Sequence, residues 1–323
     1  MDASLIAYLA FFLTIALTYA IMTLGLNVQW GLTGVFNVGV AGFVLVGAYT
    51  SSILTTPPIE GRVGGFDLPM AVGWLAAMLS AAGMSLLVGA LTLRLRADYL
   101  AIATFGFAVV VHLAALNLEW LTGGPFGITF IPRPFGADAG DALTFGLSNL
   151  ALVAAVVAAV AILLEQLKRS PWGRVLRAIR EDEDAARSLG KNAIRFRLQA
   201  FALGGAVMGL AGAVGAHFIG FIAPQNYLAI LTFQVWAMLI VGGSGSNLGA
   251  IIGAVAVWAL WSLSAAAVEW VFPPGAQARA ASLQIVFIGI GLCAILLVRP
   301  RGIVGQRVAV MRRGRDRERD EAR

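Results

Sequence analysis

Long apolar runs, separated by short polar segments, recur along the whole chain. Crossing a hydrocarbon core takes about 20 mostly apolar residues in a helix. By that measure the sequence predicts nine spans, over 4–26, 35–54, 70–93, 99–118, 146–164, 198–219, 225–242, 247–268 and 281–298. The seventh is the weakest, because Gln225, Asn226 and Gln234 interrupt it. No Asp, Glu, Lys or Arg falls well inside a run; Glu119 and Glu269 stand at edges. The expected fold is an all-α polytopic membrane bundle of about nine spans, eight to ten being compatible with the pattern. The first run follows Asp2 with no basic stretch before it, so it reads as a span and not as a cleaved leader. Residues 1–298 form the membrane domain, and 299–323 a basic tail.

Composition agrees with a bilayer as solvent. The chain is 59% apolar and 12% charged, with a mean hydropathy of +0.84, against about 45–50% and about 25% for soluble domains. A net charge of +6 and a pI near 10.1 would suit a nucleic-acid binder, but the basic residues are confined to segments between apolar runs. That is a topology pattern, and lipid, not nucleic acid, is the implied partner. With segment 165–197 in the cytoplasm, twenty Lys and Arg fall inside: Arg94, Arg96, nine from Lys168 to Arg197, and nine from Arg299 to Arg323. Only Arg62, Arg133 and Arg279 remain outside. The positive-inside bias then predicts an outer N-terminus and a cytoplasmic C-terminus. Cys293 is the single cysteine, so no disulfide can form within the chain.

Loop 119–145 contains LTGGPFGI, too rich in Gly and Pro for a helix, and reads either as a plain outer loop or as a re-entrant segment lining a cavity. The tail, MRRGRDRERDEAR at its end, is charge-dense and aperiodic, so disorder near the membrane surface is expected. Gly205 and Gly209, and Gly245, Gly249 and Gly253, are four apart, a spacing that lets helix backbones approach. The internal histidines, His112 and His217, read as hydrogen-bonded interior residues or as proton-relay groups.

Segment 165–197 is the longest polar stretch between spans. Ser170-Pro171 is a helix start, a capping side chain followed by a residue with φ already set. Trp172, Val175, Leu176 and Ile179 make one apolar stripe, and Arg177–Glu181 and Glu183–Arg187 are spaced for helical ion pairs. A second short helix follows, Asp184-Ala185-Ala186-Arg187-Ser188-Leu189-Gly190, ended by a glycine that can reverse the chain. The element suits either a basic helix lying on the inner leaflet or a docking element for a cytoplasmic partner.

Asp-Ala-Ala with Gly four residues beyond the second Ala resembles the cytoplasmic loop of ABC importer permeases, where Glu-Ala-Ala-x-x-x-Gly forms a short coupling helix. Asp184 stands where Glu is usual, and Ala193-Ile194-Arg195-Phe196 replaces the Leu-Pro ending of many such loops. GLNVQWGLTGVFNVGVAG from Gly25, LRLRADYLAIATFG from Leu93, LTGGPFGI from Leu121, the loop 170–192 and GGSGSNLGAIIG from Gly242 resemble, in order, the M-type permease subunit of branched-chain amino acid ABC importers. The resemblance implies transport of leucine, isoleucine and valine, or of related small polar solutes, across a bacterial plasma membrane. It also implies an H-type permease partner, two cytoplasmic ATPase subunits and an external binding protein. Asp184, Ala185, Ala186, Leu189 and Gly190 would then meet the ATPase.

No Gly-x-x-x-x-Gly-Lys-Ser/Thr phosphate loop is present, so ATP and Mg would be bound by partner chains, with no cofactor, metal or catalytic residue in this one. Two other readings are a secondary transporter driven by ions and an ABC permease for urea or amides. Proton coupling usually needs titrating groups in the spans, and here only the two histidines qualify. An intramembrane enzyme lacks a zinc-type His cluster, a Gly-x-Ser-x-Gly elbow and a carboxylate pair. Polar candidates for a translocation pathway are Asn27, Asn37, Thr104, Asn117 and Gln234, although such residues more often serve as helix–helix ties.

Overall fold

A computed structural model describes residues 3–58, 63–135 and 141–271, with 286, 289–290 and 302–304. The ninth predicted span as an element, Cys293, Arg62, Arg279 and the tail beyond 304 lie outside the described residues. Among those described, all elements are helical: α1 (Ala3–Leu26), α2 (Val40–Thr55), α3 (Met70–Thr92), α4 (Ala97–Asn117), α5 (Glu119–Thr122), α6 (Ala142–Arg169), α7 (Pro171–Glu181), α8 (Glu183–Ser188), α9 (Ala193–Ile219), α10 (Ala229–Gly242) and α11 (Asn247–Val271). Seven helical stretches are long and apolar enough to cross a membrane, and α2 is a shorter apolar helix.

The eight predicted spans that fall on described residues are all helices, with shifted ends. α6 and α9 run several residues further into the basic segment than expected. Asp141 caps α6 by accepting the Thr144 N–H at 2.9 Å, and hydrogen bonds from the side chain and backbone of Thr144 hold its carboxyl below the ordinary range. α1 does not stop at Leu26; it continues as one widened turn of π-helix, Asn27–Leu32. The second span is shorter than predicted, because residues 34–39 are not helical and α2 starts only at Val40.

That non-helical stretch is largely buried from Val35 onward, and buried backbone without water must find partners inside the protein. It finds them on side chains of other elements. The Val38 N–H donates to Thr104 Oγ1 at 3.0 Å, the Ala41 N–H to Thr232 Oγ1 at 3.0 Å, and the Gly39 N–H to Asn37 Oδ1 at 2.7 Å. Trp236 Nε1 donates to the Asn37 carbonyl at 2.8 Å, and Asn37 Nδ2 to Gln29 Oε1 at 2.6 Å. The free end of α2 is thus capped by tertiary contacts instead of by its own sequence.

α9 is the axis of the bundle. Its glycines bring neighbouring backbones into contact on three sides: Gly204 against Gly25 of α1, Gly209 against Ala77 and Ala81 of α3, and Gly212 against Val44 of α2. The second predicted glycine ladder behaves likewise, with Gly249 and Gly253 packed on Gly242 at the end of α10.

Loop 119–145 departs from the expectation of no helix. α5 makes one turn, Gly123 (φ +77°) ends it, and Gly124–Phe126 adds a 3-10 turn. The local cause is Thr122, whose hydroxyl donates to the Ala115 carbonyl at 2.7 Å and accepts the Gly124 N–H at 3.2 Å. The loop then folds back on the bundle: Ile128 and Ile222 exchange backbone hydrogen bonds of 2.9 and 3.0 Å, and a side chain at Gly127 would collide with the Ile222 carbonyl. Ile303 and Val304 donate to the Val241 and Gly242 carbonyls at 2.8 and 3.0 Å.

A methyl group at Gly209 would lie 2.4 Å from Ala81 Cβ and 2.6 Å from the Ala77 carbonyl, whereas one at Gly83 meets nothing within 4 Å. Gly209→Ala should therefore cost about 1–3 kcal/mol through overpacking. Gly83→Ala should be neutral or stabilising by up to about 1 kcal/mol, since alanine is the better helix former. Thermal unfolding in detergent measures both; equal midpoints would refute the packing argument.

Candidate coupling site and translocation cavity

The basic segment forms a compact three-part unit at one end of the bundle. Ser170 caps α7, accepting the Gly173 N–H at 3.4 Å, and the predicted apolar stripe turns inward, with Leu176 and Ile179 fully buried. Trp172, at the edge of that stripe, donates to Gln199 Oε1 at 3.0 Å. Asp182 caps α8 through the Ala185 N–H at 2.9 Å. Gly190, at φ +76°, turns the chain into α9, which Asn192 caps through the Arg195 N–H at 3.0 Å. Of the two anticipated ion pairs, Glu183–Arg187 forms, at 2.5 Å. Arg177–Glu181 is not among the ion pairs of the described residues; the Arg177 guanidinium instead reaches the Lys168 carbonyl at 3.5 Å.

The coupling candidates divide between two faces of α8. Asp184, Ala185, Leu189 and Gly190 are exposed, Leu189 at 79%. Ala186 is not presented to a partner: it is 3% exposed and packs with Ile179 and Ala193. The helical period puts Ala185 and Ala186 about 100° apart, so only one can look outward. An open groove beside α8 is lined by Arg187, Gly190, Lys191 and Ile194.

This unit is tied to the bundle by a polar clamp. Asn27, in the π turn, accepts the Gly245 N–H at 2.7 Å and donates to Asn247 Oδ1 at 3.0 Å. Asn247 Nδ2 donates to Glu165 Oε2 at 3.1 Å, and Lys168 Nζ to the Gly245 carbonyl at 2.9 Å. Arg180 of α7 donates to the Gly31 carbonyl. The π turn makes room for this, since a side chain at Gly31 would strike the Asn27 side chain and the Gly245 nitrogen. The end of α6, the widened turn of α1 and the α10–α11 turn are thereby linked by side-chain hydrogen bonds. Every described Lys and Arg except Arg133 lies at this end. Arg133 sits at the other, donating to the Ile219 carbonyl at the C-terminus of α9 at 2.5 Å.

Toward that opposite end, α1, α9, α10 and α11 enclose a cavity of about 510 Å³. Its wall is mainly apolar, with Thr18, Tyr19, Asn226, Tyr227 and Trp258 as polar or amphipathic groups. A smaller cavity of about 220 Å³, on the α4 side of α10, is lined by Phe105, His112 and Thr232 and shares Tyr227 with the first. His217 is a structural tie. Its Nδ1 faces the Pro132 carbonyl at 2.8 Å, which can only accept, so in the neutral ring Nε2 accepts from Ser51 Oγ at 2.9 Å.

The pathway candidates fall into three groups. Asn27, Asn37 and Thr104 are fully buried and are spent on the clamp and the capped break. Gln234 accepts from Tyr19 Oη at 3.3 Å and so positions a cavity-lining ring. Asn117 is exposed on α4 and donates to its own Leu113 carbonyl, away from the large cavity. Tyr19, Tyr227 and Trp258 were not singled out from the sequence, where an aromatic in an apolar run carries no mark of facing a void.

A family model described as branched-chain amino acid transport system / permease component matches residues 8–296. The high-affinity branched-chain amino acid transport system permease protein LivM of Salmonella typhimurium is 37% identical over 263 residues, 75% of this chain. The chain spans 60% of that relative's length. A probable LivM of Methanocaldococcus jannaschii is 26% identical over 90% of this chain and 91% of its own. The LivH permease protein of Salmonella typhimurium is 24% identical over 91% of this chain and 93% of its own. No solved structure matches the chain.

Asn27→Ala would remove the acceptor of the buried Gly245 N–H and the donor to Asn247 Oδ1. The expected loss is about 1–3 kcal/mol, visible as a lower thermal midpoint; no loss would mean that the clamp is not holding the helices.

Proposed function

The chain belongs to the branched-chain amino acid transport permease family, and from that premise we propose that it is one membrane subunit of an ATP-driven importer of leucine, isoleucine and valine. Nine spans, an outer N-terminus and a cytoplasmic C-terminus in a bacterial inner membrane complete the reading. The basic end of the bundle is then cytoplasmic, as the positive-inside bias requires. Its partners are an H-type permease, two ATPase subunits that bind ATP and Mg, and an external binding protein that does most of the selecting.

The observation that carries this reading is α8: a one-and-a-half-turn helix with an exposed Asp184-Ala185 step and a protruding Leu189, fixed by α7 to the clamp. A leaflet-bound helix would turn its apolar stripe to lipid. Here the stripe of α7 is buried in the protein, and the exposed apolar group belongs to α8, which favours a protein partner. Closure of the ATPases would displace α8, and the clamp would pass that displacement to α1, α10 and α11, which wall the large cavity. An apolar wall with few polar groups suits a conduit that holds an aliphatic amino acid weakly, because passage requires release. The same cavity would also pass amides or other small solutes, so the binding protein decides which.

Ala185→Arg and Leu189→Asp should each reduce ATPase co-purification by about tenfold or more, equivalent to about 1.4 kcal/mol, while leaving the thermal midpoint of the permease unchanged. Ala186→Trp should lower the midpoint instead. Full co-purification with both exposed-face variants would sink the docking role of α8. Concentrative leucine uptake in ion-loaded vesicles without ATPase subunits would replace the importer with an ion-coupled carrier.

A further inference from the structure

The polar groups that line the large cavity are not equally free. The Thr18 hydroxyl donates to the Thr14 carbonyl at 2.9 Å, and the Tyr19 hydroxyl to Gln234 Oε1 at 3.3 Å. Trp258 Nε1 is sealed from the void. Asn226 and Tyr227 remain, and among the described residues neither side chain has a hydrogen-bond partner. Tyr227 is 9% exposed, and its hydroxyl keeps accessible surface, whereas the Tyr49 hydroxyl on the adjoining ring is sealed. A nearly buried O–H with no acceptor is costly, and the fold gains nothing from it. Both unspent groups stand in one 3-10 turn, Pro224–Tyr227. Hydrogen bonds fix that turn: the Asn226 N–H donates to the Ala223 carbonyl at 3.0 Å, Gln225 Nε2 to the Pro125 carbonyl at 3.3 Å, and Ile222 exchanges its pair with Ile128. The wall also holds Ile15, Met22 and Leu231, and no charged side chain among the described residues lines it.

A tyrosine O–H can donate, and a carboxamide can donate and accept. Set together on one turn of an otherwise apolar cavity, they complement a solute with an acceptor and a donor on one carbon and an aliphatic body behind it. Taking the importer reading as its basis, we propose that Asn226 and Tyr227 hold the head group of the transported amino acid. The Tyr227 hydroxyl donates to the carboxylate, Asn226 Oδ1 accepts from the ammonium, and the aliphatic side chain lies against Met22 and Leu231. Neither protein group is charged, so each bond is weaker than an ion-paired one, and the solute can leave. The cavity then distinguishes an amino acid from an amine or a carboxylic acid of the same shape, a second check behind the binding protein.

The test uses the assembled complex with its partner permease and ATPases, in nanodiscs and without the binding protein; empty nanodiscs set the background. Saturation-transfer NMR titrations give dissociation constants for leucine, 3-methylbutylamine (no carboxylate) and 4-methylpentanoate (no amine). In the wild type each fragment should bind about fivefold more weakly than leucine, as expected for one lost hydrogen bond to a charged group. Tyr227→Phe keeps the ring. It should weaken leucine and 4-methylpentanoate about fivefold and leave 3-methylbutylamine unchanged, the pattern of a direct pairwise contact. Asn226→Ala should do the converse, weakening leucine and 3-methylbutylamine but not 4-methylpentanoate. Thermal unfolding guards against a structural role: Tyr227→Phe removes a hydroxyl that bonds to nothing, so the midpoint should not fall. No leucine binding in the wild type, an unchanged leucine constant in either variant, or a loss that falls alike on all three solutes would overturn the site. ATP-dependent leucine uptake by the wild-type complex with its binding protein separates the two claims. Uptake without the solute-dependent pattern removes only the head-group site; the pattern without uptake removes the importer and leaves a binding site for aliphatic amino acids.

Discussion

The backbone between Leu32 and Val40 leaves helical geometry inside the packed bundle, and the surrounding elements are arranged to satisfy it. In hydrocarbon an unpaired N–H or C=O costs several kcal/mol, so a break of this kind persists only where other chains of the fold supply partners. Here the Thr104 and Thr232 hydroxyls, the Trp236 indole and the Gln29 carbonyl do so from α4, α10 and the π turn of α1. The requirement fixes the relative positions of those elements. It also explains why fully buried hydroxyls and carboxamides sit in helices that otherwise carry almost nothing polar.

Much of this architecture was legible in the sequence. Apolar run length located every described span, because hydrocarbon thickness imposes a near-constant length. Ser170-Pro171 and Gly190 marked the limits of the α7–α8 unit, because caps and chain reversals act through local backbone chemistry. What was hidden was tertiary. The start of α2 at Val40 depends on Thr104 and Thr232, far away in the chain, and an apolar run gives no sign of a non-helical stretch within it. Asn27, Asn37 and Thr104 were visible as unusual polar residues. Their use, as a clamp and as caps, could be assigned only once Gly245, Asn247 and Trp236 were placed beside them. Ala186 shows the same limit: two adjacent alanines look alike in a motif, yet the helical period sends one inward and one outward.

The clamp gives the docking helix a mechanical meaning. α8 itself touches little of the bundle, but α7 is bonded to the Gly31 carbonyl, and α6 ends in Glu165 and Lys168, which grip the α10–α11 turn. Force on the basic end would therefore reach the cavity walls through hydrogen bonds between helix ends, beside the packing of Leu164 and Leu176 into the main core. Such bonds are few and directional, which suits an element with two discrete arrangements.

The glycines of α9 carry a consequence for which parts can move. Where backbones touch with no side chains between them, as at Gly25–Gly204 and Gly47–Gly209, sliding by even one residue would drive a side chain into a carbonyl. α1, α2, α3 and α9 are consequently locked in register like the teeth of a closed zip, and they do not slide past one another. The part of the protein with the least side-chain material is thus the part whose register is held most firmly.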